Sequence, residues 1–486
     1  MMKLCDARNP AMVMDLYELT MSYGYFRHSD RDTRVAFDVF YRQNPDGGGY
    51  AIAAGLEQVI DYIEHLHFDK PDIDYLRSLN LFDEDFLAYL RDFSFKGDVY
   101  AFPEGTVMYP NEPVITIVAP MIDAQIVETS VLLHFSHQSL IATKTNRIVR
   151  AAKGRPVADM GARRAHNMDA AVYGARAAYI GGAAGTATVL AGQMFGIPVI
   201  GTMAHSWVMG FPTEFEAFKH YALTFPDNAV LLVDTYNVLR SGVPNAIRTA
   251  KEVLEPLGKR LKGIRIDSGD LAYLSKRCRQ MLDGAGLSDC NIVVSNSLDE
   301  YTIASILNQG GEINSFGIGE RLITSKDSPV FGGVYKLAAI IQGNQVIPKI
   351  KISENPGKIT NPGLKQVYRV FNEEGYAVAD LIANHDEVLD FSKPVPYVDP
   401  KTPWKQQAFE RCHAVALQVP VFKDGKRVYE LPSLADIRAY VSDQQTNRVW
   451  AEELRFVYPH QHYLAMTQSY YAMKMKLLNQ HGKSSD

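Results

Sequence analysis

The chain has 486 residues, 47% hydrophobic and 22% charged, which is enough to bury more than one core and reads as a globular protein of two or three domains. Its formal net charge of -5 argues against a duplex nucleic-acid partner, which needs a basic face to neutralise phosphates, and leaves room for a locally basic phosphate pocket. The four cysteines, Cys5, Cys278, Cys290 and Cys412, form no C-x-x-C pair, so neither a disulfide framework nor a zinc site is expected and the compartment reads as reducing and cytoplasmic.

The N-terminus carries Lys3, Asp6 and Arg8 without an apolar run and cleavage site, so no secretory signal is expected. Helical patterns at 14–25, 52–65 and 82–90 alternate with strand-like ones at 35–41, 98–102 and 114–118, which makes residues 1–135 an α+β domain. From about Arg155 short apolar runs (PVAD, PVIGT, AVLLVDT, GIRID, NIVVSN, NSFGIG) alternate with amphipathic stretches. This βα alternation implies parallel strands joined by crossover helices, hence an α/β barrel or an open doubly wound sheet over residues 136–345. Residues 179–204 hold no charge, but six glycines and Pro198 interrupt them, so they read as a buried helix followed by a buried strand and not as a membrane span. Beyond Gln342 the break ENPGKITNPG introduces a strand pair (365–371, 376–382) and a tyrosine-rich helical tail, a third module spanning 346–486.

Polar clusters follow each apolar run: 159–164, 202–206, 234–235, 267–270, 295–297 and 317–321. In a barrel these positions share the C-terminal rim, where such folds place their active sites. The segments VVSNSLDEY and SFGIGERLITS follow strands and precede helices, so their backbone N–H groups can face an anion, with Lys336 as a candidate cation, although a solvated surface lysine is the commoner case. Asp267 and Asp270 in IDSGD suit a ribose diol or a hydrated magnesium ion; Ser268 or Asp267 can also cap the next helix. Arg163, Arg164 and Arg265 suit an acidic substrate and a pyrophosphate, and at least one is expected to pair with Asp159, Asp267 or Asp270. His205 in GTMAHSW, near Thr202 and Ser206 and ahead of the Asp234 strand, is either structural or a nucleophile oriented by a carboxylate; the residues alone leave this open.

The segments MDLYELTM, FYRQNP, DMGARRAHN, GTMAHSW, VDTYN, RIDSGD and GIGERLITS, in that order and over nearly the whole chain, resemble the nicotinate phosphoribosyltransferase family. The resemblance implies a type II phosphoribosyltransferase fold, an irregular α/β barrel with an N-terminal α+β domain and a C-terminal extension, and a homodimer with shared active sites. It further implies nicotinate, phosphoribosyl pyrophosphate and ATP as substrates, with Mg2+ held through pyrophosphate and through Asp267 or Asp270, no membrane and no nucleic-acid partner. Position by position, His205 is similar to the family's phosphorylated histidine and Asp234 to the carboxylate that orients it. Tyr17 resembles the residue that stacks on the pyridine and Arg42 a pyrophosphate contact, both serving the neighbouring subunit's site. Arg163 and Arg265, with Thr202 nearby, resemble the ring-carboxylate and phosphoribosyl contacts, and Ser295, Asn296, Gly317 and Gly319 the 5′-phosphate loops. Three departures stand out. Met160 occupies a position where relatives often have phenylalanine, which puts a thioether against the ring. Ala187 stands where the nicotinamide-using relative carries an aspartate, and the absence of an acid that would repel a carboxylate favours nicotinate; a phosphoribosyltransferase for another pyridine, nicotinamide or quinolinate, is the alternative. Glu320 and Arg321 replace small residues in the phosphate loop.

Overall fold

The structure, a computed structural model, describes residues 9–29 and 33–482 and divides into two compact units, residues 141–329 and residues 1–140 with 330–486. Lys3, Cys5, Asp6 and Arg8 lie outside the described residues.

In the unit of residues 141–329, six short strands form one parallel sheet: β1 (Val157–Asp159), β2 (Gly185–Thr186), β3 (Val230–Leu232), β4 (Gly263–Ile266), β5 (Asn291–Asn296) and β6 (Ser315–Ile318). The sheet order is β2-β1-β6-β5-β4-β3, in which the first strand pairs with the last and every other neighbour is consecutive in the chain. That is the circular order of an α/β barrel, broken between β2 and β3. The strands are apolar through their middles because both faces are covered. The helix Leu271–Gly284 between β4 and β5 buries Leu271, Ala272, Ser275, Cys278 and Leu282, spaced as one helical face. Gly242 sits so close to β3 that a Cβ there would lie 1.9 Å from the Val233 carbonyl oxygen.

One apolar run departs from expectation. PVIGT forms no strand; Val199 makes only an isolated parallel bridge to Thr186. The uncharged stretch 179–204 that contains it is likewise not one buried helix followed by one buried strand. The helix Met168–Ile180 stops at Gly181 and Gly182, β2 follows, then the short helix Val189–Phe195 ends at Gly196 with φ 68°. Val189 and Val199 are 70% and 54% exposed, so the stretch is not buried throughout. Among the described residues no helix is long and apolar enough to cross a membrane.

In the other unit, the strand Arg34–Tyr41 lies antiparallel between Gly333–Gln342 and Ile115–Pro120. The same sheet continues through Asp98–Ala101 to Val419–Lys423, so residues beyond 346 pair directly with N-terminal ones. The helix expected over 52–65 begins at Leu56, because Ala51–Ile52 is a strand paired with Val107–Met108 and Gly55, at φ 97°, turns the chain between them. The expected strand pair is present as Lys365–Phe371 and Ala377–Asn384.

Beneath this pair lies a buried ionic cluster. Arg369 donates a fork to Asp380 (2.8 and 2.6 Å), His462 Nδ1 lies 3.0 Å from Glu453, and the Tyr109 hydroxyl donates to the second Glu453 oxygen at 2.6 Å. The Tyr109 ring stacks on His462 with centroids 3.8 Å apart, and the Tyr109 N–H donates to Glu112. Burial, then the neighbouring Asp380, pushes the Glu112 carboxyl well up.

Candidate active site

Several of the polar residues that follow the barrel strands contact one another across separate connections. His205 opens the short helix Ser206 continues, His205–Met209, and its Nδ1 lies 3.1 Å from the Thr235 hydroxyl. Asp234, expected to orient this ring, is committed elsewhere: its Oδ2 accepts from the Asp267 N–H (3.0 Å) and the Ser268 hydroxyl (2.6 Å), while its Oδ1 is buried without a hydrogen-bond partner. Thr235 is thus a site residue the sequence reading assigned no role. Its only signal was adjacency to Asp234 at a strand exit.

Arg265 ties three connections together. Its Nε donates to Ser295 (2.8 Å), one terminal nitrogen to Thr202 (3.1 Å) and the other to Asp267 (3.2 Å), and the Ser295 hydroxyl also donates to Asp267. The expected arginine–carboxylate pairing is therefore Arg265 with Asp267, 13% and 29% exposed. Asp270 performs the capping foreseen for Ser268 or Asp267: its carboxylate accepts from the Tyr273 N–H at the start of Leu271–Gly284. Arg163 is exposed and makes no ion pair among the described residues.

At the exit of β1, Asp159 is fully buried and accepts from the Gly161 N–H (2.8 Å) and the Thr186 hydroxyl (2.7 Å). Burial raises its pKa, against the pull of those two bonds. Met160 is pinned by an N–H bond to the Ile318 carbonyl, and its sulfur lies 2.6 Å from where a Cβ on Gly317 would stand. Gly317 faces Ser295 across the β5–β6 register, and Asn296, the last residue of β5, holds φ 130°. Left-handed backbone at a non-glycine strand end is the kind of local strain that clusters at binding sites. Ala187, exposed just after β2, brings no charge to this rim.

Three further candidates gather in the other unit. The Tyr17 hydroxyl is raised first by burial and then by the Glu128 carboxylate to which it bonds. Lys336 is half-buried and donates to the Tyr335 carbonyl at 2.6 Å, so it is not the solvated lysine of the alternative reading. Burial lowers its pKa, Glu128 opposes, and the charges of Lys351 and Arg42 reinforce the drop.

No group of three or more His, Cys, Asp or Glu side chains among the described residues is disposed to enclose a metal. Magnesium asks for less: one or two carboxylates, with substrate phosphates and water completing the octahedron. The unpartnered Asp234 oxygen beside Asp267 fits that requirement.

Chemically, the rim offers a ring nitrogen, neighbouring carboxylates, a guanidinium only 13% exposed and two strand-exit turns, the one after β6 bearing glycine. Sequence families described as the nicotinate phosphoribosyltransferase N-terminal domain, the nicotinate phosphoribosyltransferase family and the nicotinate phosphoribosyltransferase C-terminal domain match residues 12–136, 156–375 and 364–474. The chain is 41% identical over 469 residues to the nicotinate phosphoribosyltransferase of Bacillus subtilis, covering 96% of this chain and 94% of that relative. It is 32% identical over 525 residues to the human protein of that name, with 95% of each covered. The crystal structure of human nicotinic acid phosphoribosyltransferase superposes with a TM-score of 0.84 at 28% identity, covering 96% of this chain and all of that one.

Proposed function

Because the chain belongs to the nicotinate phosphoribosyltransferase family, we propose that it joins nicotinate to the ribose of phosphoribosyl pyrophosphate, releasing pyrophosphate, and couples this to ATP through a phosphate carried on His205. The observation that supports the reading most directly is the Arg265 network, which gathers Thr202, Asp267 and Ser295 from three separate segments beside the exits of β5 and β6.

The pyridine nitrogen attacks the ribose C1 with a lone pair and loses no proton, so the nucleophile needs no general base. The enzyme's task is the leaving group. As the C1–O bond breaks, positive charge grows on the ribose and negative charge on pyrophosphate. Asp267, held by Arg265 and Ser295, balances the first; cations such as Arg42 and Lys336 balance the second. Magnesium, when bound with pyrophosphate, supplies further neutralisation, and Asp234 and Asp267 are the carboxylates that would hold it.

The imidazole of His205 accepts the γ-phosphoryl group of ATP on the ring nitrogen that Thr235 does not engage. The transferred charge then orders the neighbouring loops until hydrolysis discharges it. The same proposal includes a homodimer in which Tyr17 and Arg42 serve the neighbouring subunit, and a reducing, cytosolic setting. An assay of nicotinate, phosphoribosyl pyrophosphate and magnesium, with and without ATP, tests it. Mononucleotide formation enhanced by ATP is expected, and a preference for nicotinamide or quinolinate would replace the substrate assignment.

A further inference from the structure

The pair Glu320–Arg321, which departs from the small residues of related phosphate loops, has a definite place in the fold. It follows β6, and β6 lies between β1 and β5 in the sheet. The two side chains diverge to opposite neighbours. Glu320 reaches Lys326 at 2.5 Å and stands 4.0 Å from Arg164, on the connection after β1. Arg321 donates to Asp299 at 2.8 Å, on the connection after β5, and to Asp327 at 3.3 Å.

The two arms differ in weight. The Arg164–Glu320 pair is long, with side chains 60% and 34% exposed, and such surface pairs contribute little. Arg321 and Asp299 are 29% and 7% exposed at hydrogen-bonding distance, where a charge-assisted bond is stronger and directional. Asp299 is itself immobilised: its carboxylate accepts from the Thr302 N–H and hydroxyl (2.7 and 2.6 Å) and caps the helix Glu300–Asn308. Behind it, the buried Glu300 takes Arg147 and Lys144 at 2.8 and 2.9 Å. Burial pushes the Asp299 carboxyl up, but the Thr302 bonds and the charges of Arg321 and Lys144 outweigh it and hold the group below its ordinary value.

What this arm spans is the junction between Ser295–Asn296 and Gly317–Gly319. The junction needs holding, because Asn296 sits at φ 130° and Gly317 has little room between Met160 and Ser295. We propose that Arg321 is a positioning residue for the substrate phosphate: through Asp299 it locks the exit of β6 against that of β5, so that both turns face one anion. The inference rests on the phosphate reading of these turns given above.

The test compares Arg321→Ala, Arg321→Lys and the near-isosteric Asp299→Asn, which retains a good helix cap, with Ser295→Ala and Gly317→Ala as probes of the turns themselves. KM for phosphoribosyl pyrophosphate, kcat and melting temperature are measured for each. Arg321→Ala and Asp299→Asn are expected to raise that KM by about tenfold or more, with a smaller change in kcat and in KM for nicotinate, and Arg321→Lys to recover part of it. A KM within about twofold of wild type in both Arg321→Ala and Asp299→Asn, while Ser295→Ala and Gly317→Ala raise it, overturns the positioning role. If Arg321→Ala fails to fold, Asp299→Asn alone decides by the same criterion. No effect from Ser295→Ala or Gly317→Ala would instead remove the phosphate reading on which the inference stands.

Discussion

The Nδ1 atom of His205 lies 3.1 Å from the hydroxyl of Thr235, and the Asp234 carboxylate next in sequence points its bonds at the turn after β4 instead. A hydroxyl can donate or accept, so it holds the ring without fixing its charge; a carboxylate would favour the imidazolium. For a group that accepts a phosphoryl from ATP, a neutral ring is the reactive one.

His205→Ala is therefore expected to abolish ATP hydrolysis coupled to product while leaving a slow, ATP-independent transfer. Incubation with γ-labelled ATP should leave wild-type protein labelled and the variant unlabelled. Product-linked ATP hydrolysis surviving in His205→Ala would end the phosphohistidine reading.

Asp267→Asn keeps the shape of the side chain and removes its charge. Because the proposed role is to oppose ribose charge that appears only at the transition state, kcat should fall more than KM rises. Unchanged turnover would take this role from Asp267.

Arg265→Ala removes three bonds from a guanidinium 13% exposed and leaves Asp267 with one fewer partner. A loss of about 3–5 kcal/mol in transition-state stabilisation, read from kcat/KM, is expected for so dry a position. A loss below about 1 kcal/mol, the level of a solvated pair, would show that water fills the rim.

Gly242→Ala tests the barrel frame. Its Cβ would stand 1.9 Å from the Val233 carbonyl oxygen, backbone that cannot yield like a flexible side chain, so destabilisation of at least about 2 kcal/mol is expected by denaturant titration. A neutral substitution would contradict the packing of that turn on β3.

The buried cluster around Glu453 predicts a pH limb. Burial lowers the pKa of His462, but Asp380 and Glu453 outweigh it and raise the group above 6.5. A raised histidine contributes stability that is complete below about 6.5 and is lost as pH climbs through the folded value. Glu112, also raised, loses its contribution in the same direction. Asp380 is depressed: burial raises it, Arg369 more than offsets that, and its contribution is lost only far into acid. Melting temperature should thus fall on the alkaline side, and His462→Gln should be less stable at neutral pH with a shallower alkaline decline. Parallel profiles for the two proteins would rule out His462 as the titrating group.

The barrel was readable because the short apolar runs of β1, β3, β4, β5 and β6 repeat with helical stretches between them, a pattern set by burial on both faces. PVIGT has the same composition and fails as a strand. Gly196 ends the helix just before it, Pro198 opens it without an N–H to donate, and Val199 is exposed, so only one bridge forms. Composition reports what a segment can bury and not whether a neighbour is there to pair with it. At the site, the residue types were visible and their partners were not. Asp267, Asp270 and Ser268 all sit in one hexapeptide, and only the turn of the backbone decides which caps, which pairs and which supports Asp234. The pairing of Arg321 with Asp299 spans 22 residues and could come only from the adjacency of β5 and β6.

Met160, Asp267, Ser297 and Gly319 each directly follow a strand's last residue and Thr235 stands three beyond β3, while Asp159, Arg265, Ser295 and Gly317 lie in the C-terminal halves of the strands themselves. The chemistry is thereby concentrated at one end of each strand and in the connector that follows it. A lineage can exchange one connector, as Glu320–Arg321 appears in place of smaller residues, and try a new preference without recutting the staves.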